Sequence, residues 1–218
     1  MTRRSLSLLI PTLLVVALST STAWAHYLWV TVDTKTGEHG TTNIYFEGGP
    51  GPGDGQYLDP FIKRGKTWIR TAEKPKALKL DVAKKPGKRW LRATLPTKGP
   101  RSIDSFGMWG VYRYGKTDVL LHYYARHIEF TSSESLKALA RAPHLALEVV
   151  PQSTGTTFKF QVLWRGKPLA GHRAVRDIVI ANKEVSGAAP FIIGPVLVET
   201  QPEEGESPQI FTPWVRGV

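Results

Sequence analysis

Apolar and polar residues alternate with a period of two along most of this chain, the pattern of strands with one buried face. From His26, the run Tyr27-Leu28-Trp29-Val30-Thr31-Val32 reads as a strand ending at Asp33. Thr42 to Glu47 forms a second, after turn residues 37–40. Trp68 to Arg70, Ala77 to Val82 and Arg89 to Leu95 follow, the last two joined by the Pro86-Gly87 turn. Phe106 to Tyr114 and Asp118 to Ile128 are the strongest pair, closed by a short hairpin connection. Leu145 to Val150, Thr157 to Trp164 and Val175 to Ile180 complete the set. One helix interrupts them. Ser132 or Ser133 can cap it, Glu134 suits its first turn, Leu136, Leu139 and Ala140 make its apolar stripe, and Pro143 stops it.

Many short strands separated by Gly/Pro turns predict a mainly β fold. The expected architecture is an antiparallel β-sandwich domain with one short helix over residues 26–143. A partial immunoglobulin-like β unit over 144–185 and a weakly patterned tail over 186–218 would follow. Gly48 to Gly55 reads as a long exposed connection.

The first 25 residues break the pattern. Arg3 and Arg4 precede an apolar run from Leu6 to Leu18, and Ala23-Trp24-Ala25 is a small-x-small cleavage site. This is the layout of a secretory signal peptide, too short to span a bilayer. Cleavage after Ala25 predicts a periplasmic or secreted protein beginning at His26. No later segment is apolar enough to cross a membrane.

Composition narrows the chemistry. There is no cysteine among the 218 residues, so disulfides, thiolate metal sites and thiol catalysis are excluded. The net charge of +11 is uneven: Lys74, Lys76 and Lys79 precede Lys84, Lys85, Lys88, Arg89 and Arg92. Such a run suits a patch for anionic lipid, for an anionic envelope polymer such as a polysaccharide, or for nucleic acid, or else simply solvated strand faces, and the last is the ordinary case. Export argues against nucleic acid.

Gly110 to Thr117 matches phosphate-loop spacing, but bulky strand residues fill it and no helix follows, so the match is fortuitous. Gly-x-Ser-x-Gly and His-Glu-x-x-His are absent. Asp104 and Ser105 are neighbours, yet nothing in the sequence brings a histidine to them. No catalytic residue is assigned, and a non-enzymatic protein is expected.

His26 has a chemical reason to matter. Cleavage would free its α-amine, and amine plus imidazole can chelate Cu(II), Ni(II) or Co(II). A further histidine would complete a three-nitrogen site. His122 and His127 are the candidates, but their odd spacing puts them on opposite faces of a regular strand, so both cannot join one ion. Two other readings stand beside this one. A copper ion on an N-terminal histidine can drive oxidative glycan cleavage, and the chain could equally be a structural or glycan-binding envelope module without metal.

Five stretches together resemble a known family. They are Ala25-His26-Tyr27-Leu28-Trp29-Val30; Gly55-Gln56-Tyr57-Leu58-Asp59; the run from Leu120 to His127; Leu147-Glu148-Val149-Val150-Pro151; and the run from Val162 to Gly171. In this order they resemble an exported domain-of-unknown-function family related to periplasmic components of cobalt and nickel uptake systems. The resemblance covers about residues 20–175. It implies a β-rich first domain, an immunoglobulin-like unit opening at the Gly166 to Gly171 turn, and a divalent-metal role alongside a membrane transport component. The chain departs from the pattern after Gly171.

Overall fold

The computed structural model describes residues 26–114, 116–153, 158–168, 178–180, 191–193, 196–200 and 209–211. The expected signal peptide, and His172 with the rest of 169–177, lie outside the described residues.

The chain is mainly β, with antiparallel sheets arranged as a sandwich with a short helix. In chain order the elements are β1 (Tyr27–Asp33), β2 (Thr41–Glu47), α1 (Asp59–Arg64), β3 (Lys66–Arg70), β4 (Lys76–Ala77), β5 (Asp81–Lys85), β6 (Lys88–Thr94), β7 (Arg101–Tyr114), β8 (Thr117–Glu129), α2 (Ser133–Ala140), β9 (Leu147–Ser153), β10 (Phe158–Trp164), β11 (Lys167–Pro168), β12 (Ile178–Ile180), β13 (Phe191–Ile193), β14 (Val196–Thr200) and β15 (Gln209–Phe211).

One sheet has the order β1-β2-β6-β5. The larger has the order β12-β13-β8-β7-β3-β4, with β14 also pairing with β8. Alternation along the strands sends Leu28, Val30, Ile44, Phe46 and Leu91 of the first sheet against Ile69, Ile103, Leu121, Tyr123 and Ala125 of the second. Burying so many large apolar side chains, each contributing roughly 1.5–3 kcal/mol, makes this layer the main source of stability. The opposite face of β8 carries Tyr124 and Ile128. They pack on α2 and on the small β9-β10-β11 sheet, through Leu136, Leu139, Leu147 and Val149. The larger sheet is therefore covered on both faces, which explains the near-continuous burial of β8 from Leu121 to Ile128, with only His122 half-exposed.

Most strands fall where the alternation puts them. The β10–β11 connection is a two-residue turn in which Arg165 and Gly166 both have positive φ, 49° and 78°. That is the conformation a tight hairpin demands, and glycine supplies half of it at no steric cost. Three differences are informative. The single strand expected from Ala77 to Val82 is two, β4 and β5, in different sheets. Between them Leu78 and Leu80 pack against the inter-sheet core, and Leu78 N–H bonds the Thr67 carbonyl, so the chain crosses from one sheet to the other. A second helix, α1, has only six residues, too few to show a helical period. The segment expected as a weakly patterned tail contributes β13, β14 and β15, the first two paired with β8. Among the described residues no helix is long and apolar enough to cross a membrane.

Candidate functional site

Three histidines were the candidates for metal ligation, and the fold disperses them. His26 precedes β1. Its imidazole is 29% exposed, stands edge-on to Tyr57 with ring centroids 4.9 Å apart, and lies against Phe46. Its Nε2 is 4.0 Å from Glu47 Oε2. Glu47 is held in place: its Oε1 accepts from the Gly55 N–H at 3.1 Å. The glycine-rich loop after β2 therefore closes on this carboxylate rather than simply connecting. Gly53 faces it so closely that a methyl group there would overlap the carboxylate. The loop is further tied to β6 through Arg89 N–H and the Gly53 carbonyl, 2.9 Å.

His127 lies on the same inter-sheet layer at the far end of β1. It is 3% exposed, with Nε2 3.6 Å from Glu129 Oε1. Glu129 pairs with Arg101, which also donates to the His39 carbonyl in the β1–β2 hairpin. Burial raises the Glu129 pKa, but neighbouring His127 and Arg101 outweigh it and hold the carboxyl below its ordinary value. A strand the length of β1 spans roughly 20 Å, so His26 and His127 mark opposite ends of the sandwich. His122 is half-buried on the opposite face of β8, its ring 5.5 Å from Phe106. The strand is regular at this point. The single irregularity of the pair, between Met108 and Gly110, lies in β7. No two of the three histidines meet. Among the described residues no group of three His, Asp or Glu side chains is placed to hold a metal ion.

Among the described residues, motif reading misses a dense polar cluster. Asp104 on β7 is fully buried. Its Oδ1 accepts from Arg126 Nε at 2.8 Å and from the Ser102 hydroxyl, and its Oδ2 lies 3.3 Å from His144 Nε2. Burial alone raises the pKa of this carboxyl. The Arg126 charge and the contacts from His144 and Ser102 outweigh it, leaving the group well below the usual carboxylate range. Arg126, 1% exposed, then donates to the carbonyls of Ala140, Val149 and Leu139. Arg70 adds bonds to Ala138, Leu139 and Arg141. Two buried guanidinium groups thus occupy the carbonyls that the C-terminus of α2 leaves unpaired.

A histidine does stand beside Asp104, where nothing in the sequence places one. Asp104 and His144 form a carboxylate–imidazole pair, but Nε2 rather than Nδ1 faces the carboxylate, the reverse of the orienting pair in a catalytic triad. The hydroxyls are placed otherwise. Ser102 bonds the carboxylate, not the imidazole, and Ser105 is on the opposite face, 2.9 Å from Thr67. His144 meets Trp68 edge-on at 4.9 Å. The cluster ties helix to sheet. Asp104 and His144 are 40 positions apart, and only the β7–β8 pairing together with the α2 turn brings them together.

The phosphate-loop match falls on the β7–β8 hairpin, with Tyr112, Arg113 and Tyr114 in strand geometry. The exposed Lys84, Lys85 and Lys88 surround the Pro86-Gly87 turn of the β5–β6 hairpin. No family model, curated protein or solved structure matches the chain.

Proposed function

We propose that the mature chain begins at His26 and is an exported, non-enzymatic β-sandwich protein that carries a divalent transition metal, nickel, cobalt or copper, on that histidine. The observation that carries this reading is the pairing of a part-exposed His26 imidazole with the anchored Glu47 carboxylate. Nε2 is the ring nitrogen that faces Glu47, which leaves Nδ1 to chelate together with the α-amine. A ligating histidine commonly directs its other nitrogen at a carboxylate, which fixes the ring and raises its basicity. Tyr57 and Phe46 restrict the ring further. His122 and His127 have no part in this site. The remaining positions on the ion would be open to water or to a receiving transport component, as handling requires.

Calorimetric titration with Ni(II) and Cu(II) tests the reading. The protein starting at His26 should bind one equivalent. One extra residue before His26, or His26→Ala, should abolish that binding, and Glu47→Gln should weaken it roughly tenfold or more. Equal affinity with the extra residue would overturn the reading and favour an envelope module without metal.

A further inference from the structure

The two sheets of the sandwich part along one edge. The last strand of one sheet there is β5, and the last of the other is the two-residue β4. Between them opens a cleft of about 380 Å³, within the size range of small-molecule sites. Phe61, Ile62, Leu78, Leu80, Val82 and Leu91 supply its apolar wall, and among the described residues no carboxylate lines it. Ile62 and Val82 are each 39% exposed at its margin.

The margin is cationic. Residues 63–92 contain twelve Lys or Arg and two Asp or Glu. Arg70 is buried against α2 and Arg89 pairs with Asp59, while Lys63, Lys66 and Lys79 are exposed. Lys63 lies on α1 next to Ile62, Lys66 opens β3 in the cleft wall, and Lys79 projects outward between Leu78 and Leu80. Lysines on edge strands discourage strand-to-strand aggregation. Lys63 is on a helix, where no strand edge needs that protection; Lys66 precedes the two residues of β3 that pair with β4. The β7–β8 hairpin runs on past β3 beside α1, tethered by Arg64, whose guanidinium donates to the Trp109 carbonyl. Its outer part presents Val111 and Tyr112, 64% and 45% exposed. Aliphatic and aromatic tips interspersed with long cationic side chains suit a lipid interface, where apolar ends enter the acyl boundary and charges remain among headgroups.

We infer that this open edge is a binding site for anionic lipid: the cleft takes an acyl chain, Lys63, Lys66 and Lys79 hold the headgroup, and the protein rests on an anionic bilayer through this edge. Charge complementarity decides the occupant. A neutral glycan would not need the cation excess, and a polyanionic polymer would not need the apolar cleft.

The test is co-sedimentation with phosphatidylglycerol/phosphatidylcholine vesicles, using the protein in the form its host holds and with EDTA present. EDTA separates the outcome from that of metal binding at His26. Wild type should bind the anionic vesicles, not pure phosphatidylcholine, and should dissociate at about 0.5 M NaCl. Lys63→Glu/Lys66→Glu/Lys79→Glu should lower partitioning by roughly 100-fold or more, given about tenfold per 1.4 kcal/mol and about 1 kcal/mol per cation at the surface. Ile62→Asn/Val82→Asn, which leaves charge unchanged, should also weaken binding. These positions are exposed, and circular dichroism confirms the fold of each variant. Undiminished binding by either variant, equal binding to neutral vesicles, or tighter capture of poly-glutamate than of vesicles overturns the inference. The salt arm needs no variant at all.

Discussion

At the scale of single residues, the chemistry concentrates in two places with different origins. His26 stands out in sequence because cleavage would give it a second nitrogen ligand; its partner Glu47 does not, because only the β1–β2 register, Tyr27 opposite Glu47, sets them together. The Asp104 cluster is less legible still. A buried arginine, an aspartate and a histidine in three different segments have no common spacing, and the fold alone joins them. Breaking such a pair on one side leaves an uncompensated buried charge. Asp104→Ala should therefore destabilise the protein by about 3–5 kcal/mol in urea unfolding. The pH dependence has a definite sign. The folded Asp104 pKa is depressed, so its stabilisation is complete above the unfolded value near 4 and is lost as pH falls towards the folded value. Glu129, also depressed, acts in the same direction. Urea midpoints measured from pH 5 downwards should fall steeply in wild type, and less steeply in Asp104→Asn, whose remaining slope reports Glu129 and other carboxylates. Parallel slopes would show that Asp104 is not the titrating group.

At the scale of elements, the helices show what local sequence can and cannot specify. The start of α2 is legible: Ser132 caps it, its hydroxyl accepting from Ser135 N–H, while the Ser135 hydroxyl accepts from Ser132 N–H. That reciprocal box uses serine where glutamate or glutamine is usual. Ser132→Ala should cost about 1 kcal/mol, measured by thermal or urea unfolding. The end of α2 is only half legible. Pro143 follows it, but the groups satisfying its carbonyls, Arg70 and Arg126, come from β3 and β8. The short α1 was invisible to periodicity, and its position depends on Gly107. A methyl group there would overlap the Phe61 ring. Phe61 is itself wedged between Phe46 and Tyr123. Gly107→Ala should cost roughly 1–3 kcal/mol by overpacking, and a variant as stable as wild type would mean that α1 can move outward freely. The split between β4 and β5 has the same lesson. Leu78 and Leu80 keep period-two spacing while changing sheets, so alternation alone reads them as one strand.

For the whole molecule, the mainly β sandwich was legible because alternation is a direct record of which face is buried. The order of strands was not, since paired residues of sheet neighbours such as β2 and β6 are about 50 positions apart. The layers also differ in what holds them. Between the two large sheets the contact is mainly apolar, with the Arg101, His127 and Glu129 group confined to the end near the β1–β2 hairpin. Between the larger sheet and α2 with β9, smaller apolar clusters share the interface with a polar seam: Arg70 and Arg126 on the helix carbonyls, and Glu148, 1% exposed, accepting from Arg141 and from Ala142 N–H. Apolar contacts retain their stabilisation without exact partners, whereas a seam of buried charges is stabilising only while every member is paired. The outer layer should accordingly open first, as one unit. Native-state hydrogen exchange should show α2 and β9 losing protection together, through an opening of lower free energy than that exposing β1 and β2. Arg126→Met should lower the outer opening by about 3 kcal/mol while leaving the interior of β1 and β2 protected until global unfolding. Exchange of β1, β2, α2 and β9 through a single opening, in both proteins, would show instead that the three layers form one cooperative unit.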